Sequence, residues 1–277
     1  MQHYLGLKKG QRDFEKTSVK LHVKGLHKYF HNKKVLKGVN LDVHEGESLV
    51  IIGGSGSGKS VLIKNLIGLM NPTKGVIKVD GEEVSNLSKR QRAKSMGKIG
   101  VLFQGGALFD SLPVWKNISF SFLSSKEYTR EDSYDLAVAK LSSVGLGADV
   151  ARLYPSELSG GMQKRVALAR AIAGDPVHGD PDLIFFDEPT TGLDPIMADV
   201  INDLIVKCSE ELGATTVTIT HDMHSARKIA DHVAMIYEGK IIWHDHVKNL
   251  DRSNNDYVEQ FIHGRAEGPI RMRVRKG

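Results

Sequence analysis

The chain has 277 residues, enough for one large domain or two small ones with a full core. It is 40% hydrophobic and 26% charged, and its net charge of +5 is too modest for the domain-wide basic face that nucleic acid requires. It contains no run of about 18 apolar residues, which excludes a helical membrane span.

Residues 1–18 lack periodicity and read as an N-terminal extension, and residues 1–16 have no apolar segment of the kind a secretory signal needs. Val19, Leu21 and Val23 alternate with polar residues as in a half-buried strand, and Val35, Val39, Leu41 and Val43 suggest further strands. Between them, Lys28-Tyr29-Phe30-His31 offers rings that can stack on a nucleobase or simply close a strand. Ser48-Leu49-Val50-Ile51-Ile52 reads as a short buried strand. Gly53-Gly54-Ser55-Gly56-Ser57-Gly58-Lys59-Ser60 then matches G-x-x-x-x-G-K-[ST] at every fixed position. Val61 follows, and Leu62, Ile63, Leu66, Ile67 and Met70 give one apolar helical face. Strand, glycine loop and helix form the setting of a phosphate-binding loop. Its N–H groups and helix dipole cradle an anion, Lys59 reaches the β- and γ-phosphates, and Ser60 offers a hydroxyl to Mg²⁺.

Asn71-Pro72 ends that helix, and residues 75–79 begin another strand. Residues 99–103 form a buried strand closed by Gln104, and residues 112–146 are expected to be helical, with Thr129 and Asp132 as a capping box. A further helix runs from Gly160 to Ile172. Leu183-Ile184-Phe185-Phe186 is a continuous apolar run, as expected of a central parallel strand. Ile196, Val200 and Leu204 beside Met197, Ile201 and Ile205 mark an apolar helix, which also carries Cys208. That lone cysteine reads as a small buried hydrophobe, excludes a disulfide scaffold and points to the cytosol. Residues 215–219 and 233–237 are further strands. The alternation argues for a doubly wound α/β core with a helical insert at about residues 105–175. Residues 253–277 form a basic C-terminal extension, in which Arg265, Arg271, Arg273, Arg275 and Lys276 outnumber Glu267. Such a tail either touches anionic headgroups or a partner, or is a solvated end.

Phe186-Asp187-Glu188 ends its strand in two carboxylates that point in different directions. Asp187 can hold Mg²⁺, while Glu188 polarises water for in-line attack on phosphorus. His221, after the next strand, can orient that water, and Gln104 can reach the metal or the water as a neutral group. All lie at strand carboxyl ends, where open α/β sheets bind ligands. The pairs His221/His224 and His244/His246 lack the further convergent ligands of a zinc site. Leu158-Ser159-Gly160-Gly161-Met162-Gln163 starts a helix and is a second anion site, built on the insert rather than beside Lys59.

With these motifs in order, residues 19–252 resemble the ATP-binding cassette (ABC) ATPases. The resemblance implies a P-loop, RecA-like core with an antiparallel β subdomain and a helical subdomain. It implies ATP and Mg²⁺ as cofactors, with Ser60, Gln104 and Asp187 at the metal and Glu188, His221 and Gln104 in catalysis. Phe30, or failing it Tyr29, would stack on adenine; Ser159, Gly160 and Gly161 would contact nucleotide held by a second copy; Asp194 would couple the two sites of a homodimer. Gly58-Lys59-Ser60-Val61, Phe103-Gln104-Gly105-Gly106-Ala107-Leu108-Phe109-Asp110 and the tail at 261–269 are similar to the Mla/Mce-type phospholipid transport ATPases. That narrower likeness implies a peripheral protein on the cytoplasmic face of the bacterial inner membrane. Its partners would be a separate transmembrane permease, Mce-type lipid-binding subunits and small accessory subunits, and not nucleic acid. Another importer is the main alternative, ahead of a non-transport cassette or a kinase. Leu108, Phe109, Leu112, Val114 and Trp115 are either the permease surface or internal packing. Residues 175–182 look longer than the family's usual link and are expected to form a surface loop remote from catalysis.

Overall fold

The computed structural model describes residue 14 and residues 17–85, 87, 88, 91 and 97–271. Most of the expected N-terminal extension, and Arg273, Arg275 and Lys276 of the tail, lie outside the described residues.

Two sheets divide the molecule. Strands β1 (Val19–Phe30), β2 (Lys33–His44), β4 (Lys74–Val79) and β5 (Glu82–Glu83) form an antiparallel sheet in the order β2-β1-β4-β5. Strands β3 (Ser48–Ile52), β6 (Ile99–Leu102), β7 (Leu183–Asp187), β8 (Thr215–Ile219), β9 (His232–Tyr237) and β10 (Lys240–His246) form the second, in the order β10-β9-β3-β8-β7-β6. From β9 to β6 the second sheet is parallel, and β10 pairs antiparallel at its edge. The 233–237 run thus turns at Gly239 into a strand that the alternation of residues does not mark.

The parallel strands are apolar on both sides because both faces are covered. Successive residues point to opposite faces. Leu49 and Ile51 join Leu183 and Phe185 in the core beneath the antiparallel sheet, whereas Val50 and Ile52 join Ile184 and Phe186 in the core under the helical layer. Helix α1 (Lys59–Leu66) buries Leu62, Ile63 and Leu66 in the first core.

The helical layer holds α2 (Val114–Ile118), α3 (Arg130–Ser143) and α4 (Gly160–Ala171), followed by α5 (Pro195–Leu212) and α6 (Met223–Ile229). The expected helical stretch at 112–146 is interrupted. Residues 119–129 contain only a short 3₁₀ turn, Phe122–Ser124, and the next helix restarts at its capping box. Thr129 Oγ1 accepts from Asp132 N at 3.1 Å while Asp132 Oδ2 accepts from Thr129 N at 2.8 Å. Local side-chain bonds of this kind end one element and begin the next. Val114 and Trp115 are buried in the core, which assigns them to internal packing, while Phe109 and Phe120 stay exposed. Cys208 is buried too, and burial pushes its thiol up to about 11.

Beyond β10, helix α7 (Asp256–Ile262) packs Val258 into the core. The buried Gln260 amide pairs with Ile270: its Oε1 accepts from Ile270 N at 2.6 Å, and its Nε2 donates to Ile270 O at 3.1 Å. Residues 175–182 form a tight turn: the Asp175 carboxylate accepts from Val177 N and His178 N, and the His178 ring sits over Gly97. Asp180 pairs with Lys140 at 2.7 Å, and Asp182 with Lys20 at 2.9 Å. This end of the parallel strands is opposite Asp187, as expected of a surface loop, but the loop is well anchored.

Candidate active site

Four adjacent parallel strands carry the sequence motifs at their carboxyl ends: β3 leads into residues 53–60, β8 into His221, β7 into Glu188 and β6 into Gln104. Parallel register therefore brings residues far apart in sequence to one edge of the sheet.

The glycine loop needs its glycines. Gly58 has φ 113° and caps α1 without a side-chain bond, which leaves first-turn N–H groups for an anion. Lys59 is buried and folds its ammonium back onto the loop, donating to Gly53 O at 2.6 Å and Gly54 O at 3.1 Å. Burial lowers its pKa, with the charges of Glu188 and Asp187 opposing. Ser60 is exposed at the start of the helix, whereas Ser57 Oγ is buried without a hydrogen-bond partner among the described residues.

Asp187 Oδ1 is likewise buried and unpartnered. Burial raises the Asp187 carboxyl above the usual range; the Glu188 charge adds to this, and Lys64, Lys59 and Lys164 oppose it. A desolvated carboxylate with an orphaned oxygen, at the same edge of the sheet as the exposed Ser60, suits a hard divalent cation. Glu188 differs in kind. Its backbone takes φ 49°, a strained value for glutamate, held by its N–H donating to Ile219 O at 2.8 Å. Its carboxylate accepts from Thr191 Oγ1 at 2.9 Å and lies 2.7 Å from His221 Nδ1. The structure thus joins Glu188 and His221 directly, with the ring 60% exposed. This arrangement can take a proton from a water while an imidazole steadies the base.

Gln104 is exposed, and its backbone carbonyl accepts from the Lys164 ammonium. Phe30 is 39% exposed with the Lys28 ammonium over its ring, whereas Tyr29 is engaged by His27, its hydroxyl 3.1 Å from Nδ1. Phe30 is the freer ring for stacking. Ser159 caps α4, accepting from Met162 N at 3.3 Å, and lies exposed with Gly160. Gly161 is buried: a Cβ there would lie 2.5 Å from Met197 Cε. Leu158 is buried beside it, Met162 packs on the core, and Gln163 Nε2 donates to Pro155 O at 2.9 Å. Asp194 caps α5 through Ile196 N and Met197 N, both at 3.0 Å. Among the described residues no hydrogen bond or ion pair links residues 158–163 to residues 53–60.

Sequence reasoning misses Thr191, Lys164 and Arg170. Thr191 carries no signal of its own. Lys164 does: it is a cation on a helix stripe otherwise filled by Gly161, Ala167 and Leu168.

His244 and His246 pack their rings on His232, at 5.8 and 5.2 Å between centroids, and His232 pairs with the nearly inaccessible Glu47 at 2.9 Å. They line a cleft of about 620 Å³ at the far end of the sheet. Among the described residues, no group of three or more His, Cys, Asp or Glu side chains is arranged to hold a metal ion.

Residues 36–191 match the family model "ABC transporter". The chain is 38% identical over 242 residues to the intermembrane phospholipid transport system ATP-binding protein MlaF of Haemophilus influenzae, covering 87% of this chain and 89% of that one. It is 37% identical to the probable ribonucleotide transport ATP-binding protein mkl of Mycobacterium leprae (93% and 73% covered). Among solved structures it is similar to the ATP-binding cassette MJ0796, a dimer bound to ADP and Pi, at TM-score 0.74 and 31% identity, over 82% of this chain and 98% of that chain. With that match to a nucleotide cassette, and with the phosphate loop, paired carboxylates and Ser159 helix start placed as described, the chain belongs to the ABC transporter ATPase family.

Proposed function

We propose that this ATPase powers phospholipid movement through a separate membrane permease, using two MgATP sites shared between two copies of the chain. The observation that carries the shared-site reading is the separation of its two anion-binding helix starts. Lys59 lies at the carboxyl edge of the sheet and Ser159 on the helical layer, with no bond between the two loops among the described residues. A second copy can bring its Ser159, Gly160 and Gly161, framed by Leu158, Met162 and Gln163, to the γ-phosphate at Lys59. Asp194, exposed at the start of α5, would then lie at the joint between copies.

Residues 53–61 bind the phosphates and Phe30 stacks on adenine. Ser60, Asp187 and Gln104 hold Mg²⁺, which when bound neutralises charge on the β- and γ-phosphates. Glu188 takes the proton of the attacking water, and His221, in contact with its carboxylate, orients it and steadies the developing charge. Lys59 exchanges loop carbonyls for phosphate oxygens, regaining charge-assisted bonds.

The lipid assignment rests on the MlaF relatives and on an exposed pair of rings 4.8 Å apart, Phe109 on the loop that follows Gln104 and Phe120 just beyond helix α2. Apolar rings at that edge suit a permease on the cytoplasmic face of an inner membrane. No helix among the described residues is long and apolar enough to cross a membrane, so the path itself would be the permease's. The relative named for ribonucleotide transport supports the second reading, an importer of small solutes. Co-purification from membranes in mild detergent separates the two. A permease with Mce-type partners and bound phospholipid supports the first; a permease with a solute-binding partner and no lipid overturns it.

A further inference from the structure

The helix that begins at Ser159 grips the Gln104 loop at three backbone carbonyls. Lys164 donates to Gln104 O, and the Arg170 fork donates to Gly106 O at 2.7 Å and Ala107 O at 2.8 Å. Ala167, midway between them, faces Gly106: a Cβ there would lie 3.5 Å from the Ala167 Cβ. Lys164, Ala167 and Arg170 follow one another at i+3 steps and so share one side of the helix. The gripped loop is not relaxed, for Ala107 takes φ 50°, whereas the neighbouring φ of 73° falls on Gly106, which accepts it freely. Alanine holds that left-handed conformation only where its surroundings over-determine it.

The cations are costly where they sit. Lys164 is 7% exposed, and among the described residues no carboxylate lies within ion-pair distance of Lys164 or Arg170. An apolar side chain would fill either position without desolvating a charge. What a cation adds there is a directed bond to a carbonyl that no helix or strand uses. At Lys164 it also adds a longer-range attraction to Asp187 and Glu188, which Lys164→Arg keeps and which leaves loop exchange as the readout specific to the bond.

We propose that Lys164 and Arg170 are positioning residues that lock the residue 104–107 loop to the Ser159 helix, so that Gln104 and Ser159 move as one body. Each chain gives Gln104 to its own nucleotide and Ser159 to its partner's. The clamp therefore ties the metal side of one site to the γ-phosphate side of the other. This rests on the reading of Gln104 as a residue of the nucleotide site.

The test uses the full chain with Lys164→Met, Lys164→Arg, Arg170→Met and Gln104→Ala. Methionine matches the volume of lysine and keeps the helix packed. Lys164→Met is expected to speed amide hydrogen exchange at residues 104–108 and to lower kcat on the order of 10-fold with KM nearly unchanged, because misplacement of a positioned group acts on turnover. Arg170→Met should do the same, with its exchange effect centred on residues 106–108. Lys164→Arg restores the donor and both readouts. Combining Lys164→Met with Gln104→Ala should cost no more than the worse single change, the mark of groups acting through one another. Unchanged exchange, or losses that multiply independently, overturns the clamp. If Gln104→Ala turns over normally while Lys164→Met still speeds exchange at 104–108, the clamp stands and the role given to Gln104 fails.

Discussion

Glu188→Gln exchanges one oxygen for an amide group and leaves the surroundings of the side chain almost intact. The backbone N–H still donates to Ile219 O, and the remaining side-chain oxygen still accepts from Thr191 Oγ1. The substitution removes only the ionic part of the pairing with His221, whose ring is 60% exposed and screened by water. The fold should therefore lose less than about 1 kcal/mol, a shift of about 2–4 °C in Tm for a domain of this size. Turnover should suffer far more. A positioned base contributes roughly 10²–10⁴ in rate, so the barrier rises by about 3–5 kcal/mol. Nucleotide affinity should survive, because the phosphate loop and Asp187 are untouched, and MgATP should accumulate in a two-copy complex. Phosphate release under single-turnover conditions gives the rate, light scattering after size exclusion gives the complex, and calorimetry gives Tm. Normal turnover with an unchanged melting profile would refute the assignment of the base, whatever the fate of the complex.

Lys59→Ala removes the ammonium that rests on Gly53 O and Gly54 O. It should weaken ATP binding by about 10- to 100-fold in a fluorescence titration, since bonds to charged groups are worth about 1.5–3 kcal/mol; retained affinity would remove the phosphate-loop assignment. Ser159→Arg places a long cation on an exposed helix start and should abolish steady-state turnover while nucleotide binding by a single chain stays within about 2-fold. Turnover at the parent rate would show that the second anion site is idle. His232 has its pKa raised from 6.5, first by the bond to Glu47, with burial opposing and Asp231 and Asp245 assisting. A raised folded pKa gives stability that is whole below pH 6.5 and fades as pH climbs through the folded value. The denaturant midpoint gap between the parent and His232→Gln should thus be widest in acid; a gap that is flat with pH would sink the ion pair. His244 and His246 have lowered values, mainly through burial, and the His232 charge lowers both further. His232→Gln therefore also relieves part of their shift and offsets some of the acid-side gap without reversing it.

Much of the catalytic edge is legible in the chain because each motif follows a run of apolar residues buried on both faces. Leu183-Ile184-Phe185-Phe186 is such a run, and β7 occupies those positions and ends at Asp187. The Thr129 capping box is equally plain, since both of its bonds are local. What escapes a reading of the sequence depends on tertiary neighbours. Strand β10 has a mixed pattern, Lys240-Ile241-Ile242-Trp243-His244-Asp245-His246, because it is an edge strand covered only in part. Helix α7 reads as tail because its few buried positions, Val258 and Gln260, include an amide whose partner is ten residues away. The pairing of Glu188 with His221 crosses from β7 to β8 and follows from register alone. Val114 and Trp115 look available for a partner because apolar character does not say which surface will cover it.

The turn at residues 175–182 has a practical use. Val177 stands 82% exposed at its tip, while Asp175 closes the turn internally and Asp180 and Asp182 tie its base to Lys140 and Lys20. A reporter dye or epitope grafted at Val177 would ride on a stiff pedestal at the pole away from phosphate chemistry. Such a label would follow assembly of the transporter in real time without sampling the reaction it is meant to watch.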